Sequence, residues 1–141
     1  MMPEEATTPD LGMRVRSLLE AASRREWDVT LRSWAPGAVW DGSHQGVGKF
    51  EGVAAIRGLW TDWTGAYEHW GIEIEEILDL GNGVVVALVL QGGRPVHSVG
   101  HVQAHDAWVY EWADGMVVRV TAYSDQDEGR AAARRLVEER G

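Results

Sequence analysis

The stretch that decides the fold is residues 70–90, WGIEIEEILDLGNGVVVALVL. Its first half alternates apolar with polar residues, and residues 84–90 are wholly apolar. Alternation with a period of two is typical of a strand with one buried face, because successive side chains point to opposite faces. Gly81-Asn82-Gly83 between the halves is a hairpin turn signal. The stretch therefore predicts two antiparallel strands joined by a tight turn.

Two further turn signals extend this hairpin towards the C-terminus. Residues 92–95 (GGRP) and residues 114–115 (DG) flank a long apolar segment. We expect residues 96–112 to form one strand that bends near Gly100, and residues 116–123 to form the last strand. Strands joined by tight turns pair with their neighbours, so the four strands predict an antiparallel meander.

Helical periodicity precedes the meander and follows it. Apolar residues recur at helical spacing in residues 11–22, 27–34 and 53–67, and an alanine-rich helix is expected at residues 126–139. A short strand is expected at residues 38–41, followed by a glycine-rich loop. The predicted order is α-α-β-α-β-β-β-β-α, an α+β domain. A length of 141 residues suits one domain over residues 1–141, with residues 1–9 expected to be a disordered tail.

Composition excludes several classes of function. The chain has no cysteine, which excludes disulfides, thiol nucleophiles and Cys-based zinc sites. A net charge of −9 argues against a nucleic-acid partner. No apolar run is long enough to span a membrane, and the polar N-terminus lacks signal-peptide features, so a cytoplasmic location is expected. No nucleotide-binding motif occurs, and no cofactor is expected.

Tryptophan is unusually frequent, with eight residues against one phenylalanine. Such rings either fill the core or line a pocket for a flat apolar molecule. In the second interpretation the ligand is a small hydrophobic molecule. Its predicted wall consists of Trp40, Trp60, Trp63, Tyr67, Trp108 and Tyr123.

Four motifs carry a resemblance to a known family. They are residues 18–28 (LLEAASRREWD), residues 38–41 (AVWD), residues 50–56 (FEGVAAI) and residues 112–123 (WADGMVVRVTAY). From Leu11 to Asp127 the chain resembles the NTF2-like superfamily, in its SnoaL-like and ketosteroid-isomerase-like branch. The resemblance implies a curved sheet wrapped around the N-terminal helices as a cone with an internal cavity. It also implies a homodimer through the outer face of the sheet.

The resemblance also implies candidate catalytic residues. Asp41 matches the general base of the ketosteroid isomerases, and Asp125 matches the catalytic aspartate of the SnoaL-like cyclases. The isomerase oxyanion tyrosine falls near Leu18 and its partner aspartate near Trp108, so a faithful steroid isomerase is not expected. Asp106, two residues earlier on the same strand face, is a candidate substitute.

Each candidate also has a structural interpretation. Asp41 is either a base walled by tryptophans or a turn residue, and Asp125 is either catalytic or a helix N-cap. Asp106 must be paired or protonated if it faces inward, because an isolated buried charge is very costly. His44 either joins Asp41 at the pocket mouth or lies on a surface loop.

Three histidines, His97, His101 and His105, recur at every fourth residue of the predicted long strand. Neighbours at this spacing share one strand face but lie roughly 13 Å apart. Metal ligands must converge within about 2 Å of one ion, so no metal site is expected. The histidines are expected on the outer face of the sheet.

The sequence thus predicts an apolar pocket with cofactor-free acid/base chemistry, that of a cyclase, isomerase or lyase, on a small hydrophobic carbonyl compound. Two alternatives stay open. One is a non-catalytic domain that binds a hydrophobic ligand, and the other is a dimeric scaffold whose pocket is filled by its own side chains.

Overall fold

The computed structural model describes residues 10–141, so the tail expected at residues 1–9 lies outside the described residues. The helices are α1 (Leu11–Ser23), α2 (Trp27–Leu31), α3 (Val53–Gly65) and α4 (Gln126–Arg140). The strands are β1 (Trp34–Asp41), β2 (Lys49–Glu51), β3 (Gly71–Gly81), β4 (Val84–Gly93), β5 (Val102–Ala113) and β6 (Met116–Tyr123). A short 3₁₀ helix, Ser43–Gln45, follows β1.

The strands form one curved sheet in the order β2-β1-β6-β5-β4-β3. Strands β3 to β6 pair antiparallel with their sequence neighbours, which confirms the predicted meander. Strand β1 runs parallel to β6 and antiparallel to β2. The predicted α+β class is confirmed.

Two boundaries in the N-terminal half differ from the prediction. Helix α2 ends at Leu31, and Trp34 begins β1 instead of extending the helix. The reason is tertiary: Trp34 pairs with Val117 of β6, a register that residues far apart in the chain establish together. The glycine-rich segment after β1 is also not wholly a loop, because it contains the 3₁₀ helix and β2.

The strand predicted for residues 96–112 is shorter than expected. Strand β5 begins at Val102, and the preceding segment turns at His97, whose φ is +65°. Only His105 therefore lies on β5, and the prediction that His97, His101 and His105 share one strand face is wrong. His105 is exposed, and its Nδ1 lies 3.1 Å from a carboxylate oxygen of Glu75.

The two faces of the sheet carry two separate hydrophobic cores. Helices α1 to α3 cover the inner face, where the tryptophans gather. Helix α4 covers the outer face and packs on apolar residues of β4 and β5, among them Val86, Leu88 and Val109. Gly129 permits this close packing, since a Cβ there would lie 2.4 Å from the Cβ of Ala107. The expected homodimer through the outer face stays a prediction, and any such interface must include α4 or the part of the sheet beside it.

No helix within residues 10–141 combines the length and the apolar character needed to cross a bilayer.

Candidate functional site

The inner face holds a packed cluster of aromatic rings. Trp60 lies at its centre, with ring centroids 5.2 Å from Trp34, 5.5 Å from Trp27 and 5.8 Å from Trp40. The cavity left among these rings measures only about 20 Å³. One water needs about 10–15 Å³ by the same kind of measure, so the rings fill most of this space themselves.

A larger cleft of about 330 Å³ lies beside the packed cluster. The indole rings of Trp40 and Trp63 form part of its wall and also part of the inner cavity wall. Leu59 and Val47 add apolar surface, and Gln45 and Gln91 add the amide groups. Ligand pockets usually occupy about 300–1,000 Å³ and combine apolar walls with a few polar groups, which this cleft does.

Asp106 is the buried carboxyl group of the inner face. It is 2% exposed and lies on β5 opposite Val89, two residues before Trp108, as the strand alternation predicts. Its Oδ2 accepts a hydrogen bond of 3.4 Å from Nε2 of Gln91, a residue of the cleft wall. Asp106 therefore lies directly behind the polar side of the cleft.

Burial raises the pKa of Asp106 above its ordinary value of 3.8. Neighbouring donors from Gln45, Trp108 and Gln91, and the nearby His105, lower this pKa but offset only part of the rise. A carboxyl group with a raised pKa exchanges protons closer to neutral pH, which suits a general acid or base.

Two indole N–H groups of the inner cavity have no hydrogen-bond partner among the described residues, those of Trp34 and Trp108. Both residues are 3% exposed. The N–H of Trp108 is close enough to Asp106 to lower its pKa, without the geometry of a hydrogen bond. Buried donors nearly always have a hydrogen-bond partner, so two unpartnered indole N–H groups are unusual. Each can still donate a hydrogen bond to an acceptor oxygen. Trp112 also has an unpartnered N–H but does not line the cavity.

The prediction that Asp41 faces the tryptophans is wrong. Trp40 points to the inner face, so the next residue of the strand points to the outer face. There Asp41 is 4% exposed, accepts hydrogen bonds from the backbone N (2.9 Å) and Oγ (2.6 Å) of Ser43, and pairs with Arg119. Burial alone would raise the pKa of Asp41, but the Ser43 hydrogen bonds and the Arg119 charge outweigh it and lower the pKa.

We expect Asp41→Asn to destabilise the fold by roughly 2 kcal/mol at pH 7, because it leaves the half-buried Arg119 without its main partner. The lowered folded-state pKa means that the stabilisation is present above the ordinary value of 3.8 and disappears as the pH falls through the folded-state pKa. Urea unfolding measures the loss of stability at pH 7 and its decrease at pH 3. The exposed Asp62→Asn is the matched control, and equal losses for the two variants at pH 7 would contradict the expectation.

Other predicted site residues also lie away from the cleft. Asp125 caps α4, accepting hydrogen bonds from the backbone N of Asp127 (2.9 Å) and Glu128 (3.1 Å). His44 and Tyr123 stack with ring centroids 4.5 Å apart, in an outer-face groove that they share with Asp41. His44 and Asp41 thus line one groove on the opposite face of the sheet from the tryptophans, where His44 is exposed, and not the mouth of a tryptophan-lined pocket.

The predicted wall residues divide in the same way. Trp40 and Trp63 line the cleft, and Trp60 and Trp108 line the inner cavity. Tyr123 belongs to the outer face, so its assignment to the wall is wrong. Tyr67 follows α3, pairs with Pro95 and lines neither space, so its assignment is wrong as well.

The two amides of the cleft wall, Gln45 and Gln91, are not among the residues predicted from the sequence. Neutral amides belong to no motif, but one signal for Gln91 exists. Val85, Ala87 and Val89 alternate onto the inner face of β4, and Gln91 continues that series with a polar group. Among residues 10–141, no three His, Asp or Glu side chains gather in a way that would hold a metal ion.

The curved sheet, the helices over its inner face and the cleft define the class of NTF2-like α+β proteins. A family model described as the SnoaL-like domain matches residues 15–120. The chain therefore belongs to the SnoaL-like domain family. No curated protein matches it.

Solved structures share the fold at low sequence identity. One is a hypothetical protein with a ketosteroid isomerase-like fold from Catenulispora acidiphila DSM 44928, in complex with trimethylamine; identity is 15%, the TM-score is 0.70, and the match covers 91% of this chain and 95% of that one. Another is a putative SnoaL-like polyketide cyclase from Shewanella putrefaciens CN-32, at 10% identity, TM-score 0.70, and coverage of 92% and 98%. A third is TerC co-crystallised with polyporic acid, at 12% identity, TM-score 0.69, and coverage of 86% and 96%. At these identities the likeness shows the fold alone.

Proposed function

We propose that this protein performs acid/base chemistry on a small hydrophobic carbonyl compound bound in the cleft, without a cofactor. The observation that carries the proposal is the position of Asp106: a carboxyl group with a raised pKa, buried behind a cleft lined by Trp40 and Trp63. This replaces Asp41 and Asp125 as the proposed proton carriers, because neither faces the cleft.

The chemistry follows from the groups present. The apolar body of the ligand lies against Trp40 and Trp63, and its carbonyl oxygen accepts an N–H from the side-chain amide of Gln45 in the cleft wall. The Asp106 carboxylate then removes a proton from the carbon next to the carbonyl group, and the resulting enolate oxygen is stabilised by the N–H donor. Protonated Asp106 returns the proton to the same or another carbon, or the enolate carbon attacks a second carbonyl group and the alkoxide that forms takes the proton from Asp106. The outcomes are exchange, isomerisation and cyclisation, respectively.

Two relatives support the ligand class. One neighbouring structure is a putative polyketide cyclase, and TerC was co-crystallised with polyporic acid. Both support an apolar oxygenated ligand for this cleft, and the membership of the SnoaL-like family agrees with it.

The test uses 2-tetralone, a bicyclic ketone with acidic hydrogens beside its carbonyl group. We expect the protein to accelerate the exchange of these hydrogens in D₂O, which is measured as the loss of their proton NMR signal. The exchange rate should saturate as the ketone concentration rises. Exchange no faster than in buffer, with a panel of aromatic ketones of one to three rings, would refute the catalytic proposal.

A non-catalytic binding domain is the second candidate, favoured by the cleft of about 330 Å³, whose lining residues include no aspartate or glutamate. It predicts that the ketone quenches tryptophan fluorescence, since Trp40 and Trp63 line the cleft, while exchange stays at the buffer rate. The absence of both quenching and exchange would favour the scaffold interpretation.

A further inference from the structure

A chain of two hydrogen bonds crosses three neighbouring elements beside the cleft. The indole Nε1 of Trp70, just before β3, donates to Oε1 of Gln91 on β4 over 2.9 Å. The amide Nε2 of Gln91 donates in turn to Oδ2 of Asp106 on β5 over 3.4 Å. Trp70 is buried, and Gln91 is half-buried at the cleft wall.

The donor and acceptor groups fix the direction of these two hydrogen bonds. An indole nitrogen is only a donor, so Gln91 must present its carbonyl oxygen to Trp70. The amide nitrogen of Gln91 then faces Asp106. A flip of the amide would place donor against donor at Trp70 and oxygen against oxygen at Asp106, so the two contacts hold the amide in one orientation.

We propose that Gln91, fixed in one orientation by Trp70, is a positioning residue that holds the Asp106 carboxyl group towards the cleft and favours its ionised form. The inference rests on the proposed function, because it assumes that Asp106 carries the proton. Ionised Asp106 is the form that removes a proton, and a donated N–H stabilises that form. Without Gln91, Asp106 stays protonated to a higher pH.

Three other groups around Asp106 also favour its ionised form, and their contribution is separate from that of Gln91. Gln45 and Trp108 also lower the pKa of Asp106, each more strongly than Gln91 does. Of these three side chains, only Gln91 makes a hydrogen bond to the carboxyl group with acceptable distance and angles. The neighbouring residue His105 also lowers the pKa of Asp106, although it points to the outer face and contacts Glu75 there. Gln45, Trp108 and His105 are all unchanged in a variant that substitutes Gln91, so a change in the pKa of Asp106 in that variant reports on Gln91.

The experiment measures the pKa of Asp106 by carbon NMR of protein labelled in the aspartate carboxyl groups, with Asp106→Asn to assign the signal. Gln91→Met keeps the length of the side chain and removes the donor. We expect it to raise the pKa of Asp106 by about half a unit or more. Gln91→Glu keeps an acceptor for Trp70 and puts a carboxylate against Asp106, so a larger rise is expected. Gln103→Met, the same change at an exposed position of β5, is the control and should leave the pKa unchanged.

Trp70→Phe tests the anchor, because it leaves Gln91 in place but removes the N–H that orients it. We expect a smaller rise of the pKa of Asp106 in the same direction. A fall of the pKa in Gln91→Met would show that the amide faces the other way, and no change in a folded variant would show that it does not act on Asp106; either result overturns the proposal. Because this readout needs no turnover, an unchanged pKa is distinct from a failure of the ketone exchange assay.

Discussion

Asp106→Asn is expected to slow the exchange of 2-tetralone hydrogens by roughly 100-fold or more at neutral pH. General acid/base catalysis contributes about 10²–10⁴-fold, and an asparagine amide has nearly the same shape but takes up no proton at this pH. Quenching of tryptophan fluorescence by the ketone should persist, because Trp40 and Trp63 stay in the cleft wall. Exchange and quenching measured on the same samples separate the loss of chemistry from the loss of binding.

The free energy of unfolding of Asp106→Asn, measured against pH, provides an independent check. Burial raises the folded-state pKa of Asp106, so the ionised carboxyl group destabilises the fold. That destabilisation is present above the folded-state pKa and disappears as the pH falls to the unfolded-state value. Asp106→Asn should therefore be at least as stable as the natural protein at pH 7, with a difference that shrinks in acid.

Asp125→Asn is the matched control for the exchange assay. Asparagine caps helices about as well as aspartate, so neither stability nor exchange should change appreciably. If Asp125→Asn removes exchange and Asp106→Asn leaves it intact, the site has been assigned to the wrong face of the molecule.

Trp60→Ala is expected to lower the free energy of unfolding by about 3–5 kcal/mol. Trp60 is 7% exposed, and its ring contacts those of Trp27, Trp34 and Trp40. The substitution removes buried apolar area and the contacts between the rings. It also leaves a large cavity in the core, which a movement of helix α3 alone cannot fill. Urea unfolding followed by far-UV circular dichroism measures the loss.

Trp63→Ala, three residues further along α3, is the matched comparison. Trp63 is half-buried and lines the cleft, so we expect less than half of the stability loss but a clear weakening of ketone binding. A reversed order, with Trp63→Ala the more destabilising, would contradict the division between packed core and cleft wall.

The strand meander and the order of the helices were readable from the sequence because their signals are local. Alternation in residues 70–80 and the turn at Gly81-Asn82-Gly83 are properties of neighbouring residues, and the observed strands β3 and β4 follow them. The cap of α4 at Asp125 is local in the same sense. The resemblance to the NTF2-like superfamily also needed only short motifs, and the family match confirms it.

Boundaries set by distant pairing were not readable. Trp34 fits helical spacing, but the parallel partner β6 places it in a strand, and that partner lies some eighty positions further along the chain. The start of β5 at Val102 likewise depends on the end of β4, with which it pairs at Gly93. At these positions strand pairing outweighs local secondary-structure propensity, because pairing and burial involve residues from the whole sheet.

The candidate site shows the same division. The sequence by itself determined that one strand carries Asp106 and Trp108 on the same face, since alternation requires it. Only the tertiary structure decided that Asp41 faces Arg119 beneath α4, that Asp106 lies behind the cleft, and that Gln91 and Trp70 contact each other there. A strand's alternation says which residues share a face, but which face becomes the cleft depends on where the helices pack, and that is settled by contacts between residues far apart in the chain.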